Sequence, residues 1–216
     1  MDKAQFKKKW ENYWYYYKWH TIAGIFVLML VIIFVKDFVT KEKYDATIML
    51  ATSYYVDDTR LVNLKDTLED YFPDIDGNGE VNLAITPIYI EGGEGGQPTD
   101  AEYAYAMQMK MLSEVSVNSS LIVIFDDGFT NSFVEQMEMR DLSKDFPDNA
   151  LISKTLWDIT ASDFGSKTFI PEYEKQTGTK VYASITSAEY VPEKEVSEYN
   201  QVLQGFFNII NNTPIN

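Results

Sequence analysis

A chain of 216 residues with 18 Lys and Arg against 33 Asp and Glu carries a net charge of −15. It has no cysteine and one histidine, His20. Disulfides, thiol nucleophiles and Cys-ligated metals are therefore excluded, as are His-based metal sites and triads beyond residue 20. From Lys41 onward there are 12 Lys and Arg against 30 Asp and Glu, a charge that repels nucleic acid and anionic lipid headgroups.

The N-terminal segment reads as a membrane anchor. Residues Thr21 to Val35 (TIAGIFVLMLVIIFV) carry no charge. A bilayer needs about 20 apolar residues, and the flanks supply the remainder. Trp14, Tyr15, Tyr16, Tyr17 and Trp19 precede the run, and Phe38 and Val39 follow it. Trp and Tyr favour the headgroup region, and Lys18 and Lys36 can snorkel outward. A helix from about Tyr13 to Val39 is expected, roughly 40 Å long. Lys3, Lys7, Lys8, Lys9 and Lys18 lie before the span, whereas Lys36, Lys41 and Lys43 behind it are interleaved with Asp37 and Glu42. The positive-inside rule then predicts a cell-membrane protein with residues 1–20 cytoplasmic, 21–39 transmembrane and 40–216 extracellular. A cleaved leader fits less well, because KDFVTKEKYDA holds no A-x-A-like site. An exported domain without disulfides suits a bacterium better than a eukaryotic secretory route.

Beyond the anchor, the pattern predicts alternating strands and helices. Tyr44 to Ala51 (YDATIMLA) reads as a strand. A helix follows, N-capped by Asp57 or Asp58, with Leu61, Leu64, Leu68 and Tyr71 at spacings of three and four. Pro73 stops it. The turn DIDGNG leads into a strand over Glu80 to Ile90, weakened as a central strand by Pro87. After the flexible EGGEGGQP loop, Thr99 and Glu102 form a T-x-x-E capping box. The next helix puts Ala104, Met107, Met111, Leu112 and Val115 on one face. Ser120 to Phe125 is a uniformly apolar strand, and a short helix is expected from about Asn131 to Met139. Leu142 to Val191 is less regular, with a strand at Thr179 to Thr186. The chain closes in an amphipathic helix lined by Tyr199, Val202, Leu203, Phe206, Phe207 and Ile210. Apolar strands joined by amphipathic helices predict an α/β fold. Its expected form is a three-layer αβα sandwich on a mostly parallel sheet.

The order YDATIMLA, helix, EVNLAITPIYI, helix, SLIVIFDD, then DLSKDF resembles one lobe of an extracytoplasmic solute-binding protein, over roughly Tyr44 to Phe146. The resemblance implies a domain that binds a small ligand outside the cell. The chain departs from that family in having room for one lobe instead of two, and a helix anchor in place of a leader or lipid. The aromatic YWYYYKWH leader resembles that of anchored proteins from Gram-positive anaerobes.

Two constellations could carry chemistry. In open α/β sheets ligands bind beyond the carboxyl ends of the strands. That edge should carry Ser53, Tyr54 and Tyr55 after the first strand, Glu91 after the second, and Asp126 and Asp127 after the third. Carboxylates beside tyrosines could hold a cationic or polar ligand, although they could equally cap turns and cover loops. The second constellation is Asp74-Ile75-Asp76-Gly77-Asn78-Gly79-Glu80. Asp74, Asp76, Asn78 and Glu80 match the start of an EF-hand-type calcium loop, yet the twelfth position is Ile85 where a bidentate Glu should close the shell. Calcium is one reading of this loop and a plain polar turn is the other; no other cofactor is implied. Gly92-Gly93-Glu94-Gly95-Gly96 is neither G-x-G-x-x-G nor a P-loop.

No nucleophile, base and orienter recur in a recognisable arrangement. The sequence therefore points to a non-catalytic, membrane-anchored binding or accessory module, whose partner is an envelope protein, such as a transporter, or a small polar ligand. A structural assembly component is the first alternative, and a carboxylate-based hydrolase the second.

Overall fold

The computed structural model describes residues 3–39, 43–93, 98–117, 119–130 and 137–215. The chain divides into two compact units, Met1–Lys43 and Tyr44–Asn216.

The first unit is one helix, α1 (Lys3–Val39), of 37 residues. At 1.5 Å per residue it is about 55 Å long. It starts ten residues earlier than the apolar pattern suggested. No Pro occurs in it and its first Gly is Gly24, so nothing in the basic segment interrupts the helix. Aromatic pairs at spacings of three and four reinforce it: Trp10 stacks on Tyr13 and Trp14, and Tyr13 on Tyr17. The stretch Lys9–Lys36 is long and apolar enough to cross a membrane.

The second unit is α/β, built on a six-stranded sheet. β1 (Ala46–Thr52) lies between β2 (Leu83–Tyr89) and β3 (Ile122–Asp126) and is parallel to both. β4 (Ile152–Ser153), β5 (Leu156–Asp158) and β6 (Val181–Ile185) complete the order β2-β1-β3-β6-β5-β4. β6 runs antiparallel to β3, β5 to β6, and β4 to β5. The sheet is thus mixed, parallel only in its first half. The expectation of a mostly parallel sheet missed two very short strands and the reversed direction of β6. Pro87 is exposed on β2 at the sheet edge, the place where a missing ladder donor is tolerated.

The helices are α2 (Asp58–Glu69), α3 (Ala101–Ser116), α4 (Leu142–Asp145), α5 (Ile170–Thr177) and α6 (Val196–Ile210). Asp57 caps α2 by accepting from Arg60 N. The cap of α3 is Asp100, which accepts from Tyr103 N, one residue after the expected Thr99. The helix expected near Asn131 to Met139 falls largely outside the described residues; Met137 is buried, and Met139 bridges to Thr186.

Alternation along the strands divides the core in two. Ile48 and Leu50 of β1 and Ile122 and Ile124 of β3 cluster with Leu64 and Leu68 of α2 and with Val202, Phe206 and Ile209 of α6. Met49, Ala51, Val123 and Phe125 cluster instead with Ala104 and Met111 of α3. Leu112, expected to face inward on α3, is exposed.

α6 seats tightly on the end of α2. A methyl group on Gly205 would lie 2.4 Å from Phe72 Cδ1 and 2.6 Å from Cε1, and the Phe72 ring is fully buried. Overpacking costs about 1–3 kcal/mol, against about 1 kcal/mol of helix propensity gained. Gly205→Ala should therefore lower stability by up to about 2 kcal/mol, or up to about 8 °C in melting temperature. A variant more stable than the parent would contradict this packing.

Candidate functional site

β1 connects through α2 to β2 on one side, and β2 connects through α3 to β3 on the other. The carboxyl ends of β1 and β3 are therefore the point where the strand order reverses, the usual ligand crevice of an open α/β sheet. Here the crevice is occupied by the protein's own groups. Asp126, at the end of β3, is fully buried. Its Oδ2 accepts from Ser53 N at 2.8 Å, Ser53 Oγ at 2.6 Å and Tyr173 Oη at 2.6 Å, and its Oδ1 accepts from Gly128 N at 3.0 Å. Burial, reinforced by the Asp126 carboxylate, pushes the Tyr173 phenol far up from its ordinary pKa, so it remains a donor at any physiological pH.

The backbone closes the remaining space. Gly93 has φ +67, and a Cβ there would lie 2.6 Å from Gly128 O. A Cβ on Gly128 would lie 3.0 Å from the Ser53 side chain. Only glycine allows the loops after β2 and β3 to approach this closely. Gly92 N also donates to Ser53 O at 3.1 Å. The three strand-end loops form one bonded knot.

The other expected site residues lie around this knot. Tyr54 is half exposed and meets Tyr173 edge to face at 6.3 Å. Tyr55, 64% exposed, meets Tyr89 edge to face at 5.9 Å, and Tyr89 lies 6.3 Å from Tyr103. Leu50, Thr52, Tyr55, Val56, Asp58, Leu61, Pro87, Tyr89 and Tyr103 enclose a cavity of about 100 Å³. Glu91 Oε2 accepts from Thr99 N at 2.7 Å, and that bond lowers the Glu91 pKa. Burial raises the Tyr89 pKa, and the Glu91 charge adds to the rise. Asp127 points the other way, accepting from Lys180 N at 2.9 Å. The structure thus joins Ser53 directly to Asp126, with Tyr54 at the knot's edge. It sets Tyr55 and Glu91 beside Tyr89, and leaves Asp127 with β6. The sequence reading missed Tyr173, Tyr89 and Tyr103.

The acidic loop lies at the opposite end of β1. Asp74 Oδ1 accepts from Gly77 N (2.7 Å) and Asn78 N (3.2 Å), and Oδ2 from Gly79 N (2.7 Å). Asp76 Oδ1 accepts from Asn78 N, and Asn78 Oδ1 from Glu80 N. Asp45, 2% exposed, fastens the loop from outside. Its Oδ1 accepts from Ile75 N and Asp76 N, and its Oδ2 from Asn82 N. One oxygen each from Asp45, Asp74 and Asp76 lie within 4.8 Å of one another. The twelfth position, Ile85, sits inside β2 opposite Ile48.

A larger cavity of about 390 Å³ lies at the same end as this loop, between Tyr44, Thr47, Leu121, Glu195, Glu198 and Tyr199. Its buried polar groups are already engaged: Asp45 holds the loop, and Tyr199 Oη donates to Thr186 O at 2.8 Å. Size alone is therefore a weaker guide here than the strand-end chemistry. No family model, curated protein or solved structure matches this chain.

Proposed function

We propose that this chain is a membrane-anchored, non-catalytic binding module. Its α/β unit, a three-layer sandwich by our reading of the two core clusters, stands outside the cell as an accessory of an envelope complex such as a transporter. The observation that carries the reading is the strand-end edge. Its buried carboxylate, Asp126, spends its oxygens on four internal donors, which argues against acid–base turnover. Around it, Tyr54 and Tyr55 remain exposed and offer amphipathic contact area for a polar ligand or protein. The loop Asp74 to Glu80 is read as a self-capped turn, since its carboxylates already accept backbone N–H groups. The acidic charge disfavours nucleic acid.

A second reading, an assembly component, is favoured by one feature. Tyr105, Met109 and Leu112 form an exposed stripe along α3, at 64%, 48% and 45% exposure. Spacings of four and three put them on one helix face, as a protein contact would require.

The native chain lacks cysteine, so single introduced cysteines report topology cleanly. Ser116→Cys should react with an impermeant maleimide in intact cells, and Gln5→Cys only after lysis. The reverse pattern would overturn the anchored orientation. Photo-cross-linkers at Tyr54 and Thr47 then test the two ends of β1 in native membranes. Adducts from Tyr54 alone support the strand-end edge, and adducts from Thr47 alone overturn it.

A further inference from the structure

We propose that the cavity walled by Tyr55, Tyr89 and Tyr103 and rimmed by Asp58 receives an alkylated ammonium head group. This inference rests on the strand-end binding reading above and names the ligand chemistry for that edge.

Position comes first. Thr52 and Tyr89, the last residues of β1 and β2, line the cavity. It therefore opens beyond the carboxyl ends of two parallel strands, beside the reversal point that Asp126 and the glycine contact fill.

Shape comes second. The Tyr55 and Tyr89 planes meet at 76°, and those of Tyr89 and Tyr103 at 49°. Rings at such angles make the walls of a corner, where a stack would leave no space. The floor is apolar, with Leu50 and Val56 buried. The volume, about 100 Å³, equals about three waters at ~30 Å³ each. Pockets for whole drug-sized molecules begin near ~300 Å³. The cavity therefore fits a head group whose remainder projects outward.

Charge comes third. Ring faces are the negative part of the aromatic quadrupole and attract cations. Asp58 is exposed in the first turn of α2 and has no partner among the described residues, whereas its neighbour Asp57 is engaged by Arg60. Glu91 adds negative charge at Tyr89. These two carboxylates disfavour an anion. One cation is bonded to the lining: the Lys110 ammonium donates to Pro87 O at 3.3 Å.

The number of donors selects among cations. A primary ammonium brings three N–H groups and a strong hydration shell. An apolar floor and ring faces repay little of that hydration. A quaternary head has no N–H to satisfy, and its methyl groups suit the floor and the rings.

The test uses the full chain in dodecyl maltoside, a detergent without choline groups. Choline and its neutral isostere 3,3-dimethylbutan-1-ol are titrated calorimetrically to about 100 mM, and choline should bind with a dissociation constant on the order of millimolar. The isostere should bind at least about tenfold more weakly, because it keeps the shape and loses the charge. Tyr103→Ala should weaken choline about fivefold and Asp58→Asn about threefold. Both side chains are substantially exposed, so unchanged melting temperatures verify folding. Equal affinity for the isostere, indifference to both variants, or no binding of choline would overturn the inference. If choline fails while Tyr54 still gives cross-links, the ammonium assignment falls and the strand-end reading stands. If both fail, the edge is not a binding site.

Discussion

Replacing Asp126 with alanine should destabilise the α/β unit by about 4 kcal/mol, a fall of about 8–16 °C in melting temperature. Four donors lose their acceptor: Ser53 N, Ser53 Oγ, Tyr173 Oη and Gly128 N. The two hydroxyls can turn toward other acceptors. The two backbone N–H groups cannot; Ser53 is buried and Gly128 partly so, and a buried unsatisfied donor costs about 1–3 kcal/mol. The cavity left by the carboxylate adds a packing cost. Asp126→Asn keeps one acceptor oxygen and turns an NH₂ toward a donor, so its cost should be about 2 kcal/mol. Tyr173→Phe removes a single donor and should cost about 1 kcal/mol. Thermal or denaturant unfolding of the three variants gives the ranking. An Asp126→Ala protein within about 1 kcal/mol of the parent would contradict the knot.

That knot also marks where sequence reasoning stopped. Ser53 and Asp126 were both placed at the strand ends by the rule for open α/β sheets. Their mutual bond was not legible, because they are 73 residues apart and no local pattern encodes the pairing. Tyr173 was further from reach. It comes from α5, in the stretch that showed no clear period. A signal for α5 did exist: Pro171 lies in its first turn and Gly178 closes it at φ 75, the usual Pro-first, Gly-last asymmetry. Eight residues were too few for periodicity to speak.

The elements that were legible share a property. β1, β2, β3 and α6 have long runs or clear stripes, and each was located to within about three residues, the usual uncertainty of boundaries. β4 and β5 are two and three residues long, and tertiary pairing alone defines them. The direction of β6 has the same character, since an alternating strand reads identically parallel or antiparallel. The cap of α3 failed for a different reason. Thr99 and Asp100 are both good caps, and Thr99 is diverted because its N–H and its side chain both hydrogen-bond Glu91.

Asp45→Ala should cost about 3 kcal/mol, although nothing in the sequence marks Asp45 as more than a polar residue before a strand. It is 2% exposed and accepts from three backbone N–H groups, those of Ile75, Asp76 and Asn82. Alanine would remove the acceptor of all three, and each such hydrogen bond contributes about 1 kcal/mol. Asp45→Asn retains an oxygen for Ile75 and Asp76 and should cost roughly half as much. The loop itself adds a pH dependence. The Gly79 N–H, with those of Gly77 and Asn78, holds the Asp74 carboxylate below its ordinary pKa, against a smaller opposing effect of burial. A carboxylate lowered on folding stabilises the fold above its unfolded value, about 3.9. That stabilisation is lost as pH falls through the lower folded value. Acid titration should therefore release the turn below about pH 4, and Asp74→Asn should remove this step. Calcium distinguishes the turn from an ion site. Five of the six oxygens of Asp45, Asp74 and Asp76 already accept backbone N–H groups, and Ile85 offers no ligand. The melting temperature should then stay fixed as calcium rises to the millimolar range typical of weak extracellular sites. A rise that depends on Asp76 would instead make the loop a calcium site, with Asp45 supplying the oxygen that position twelve lacks.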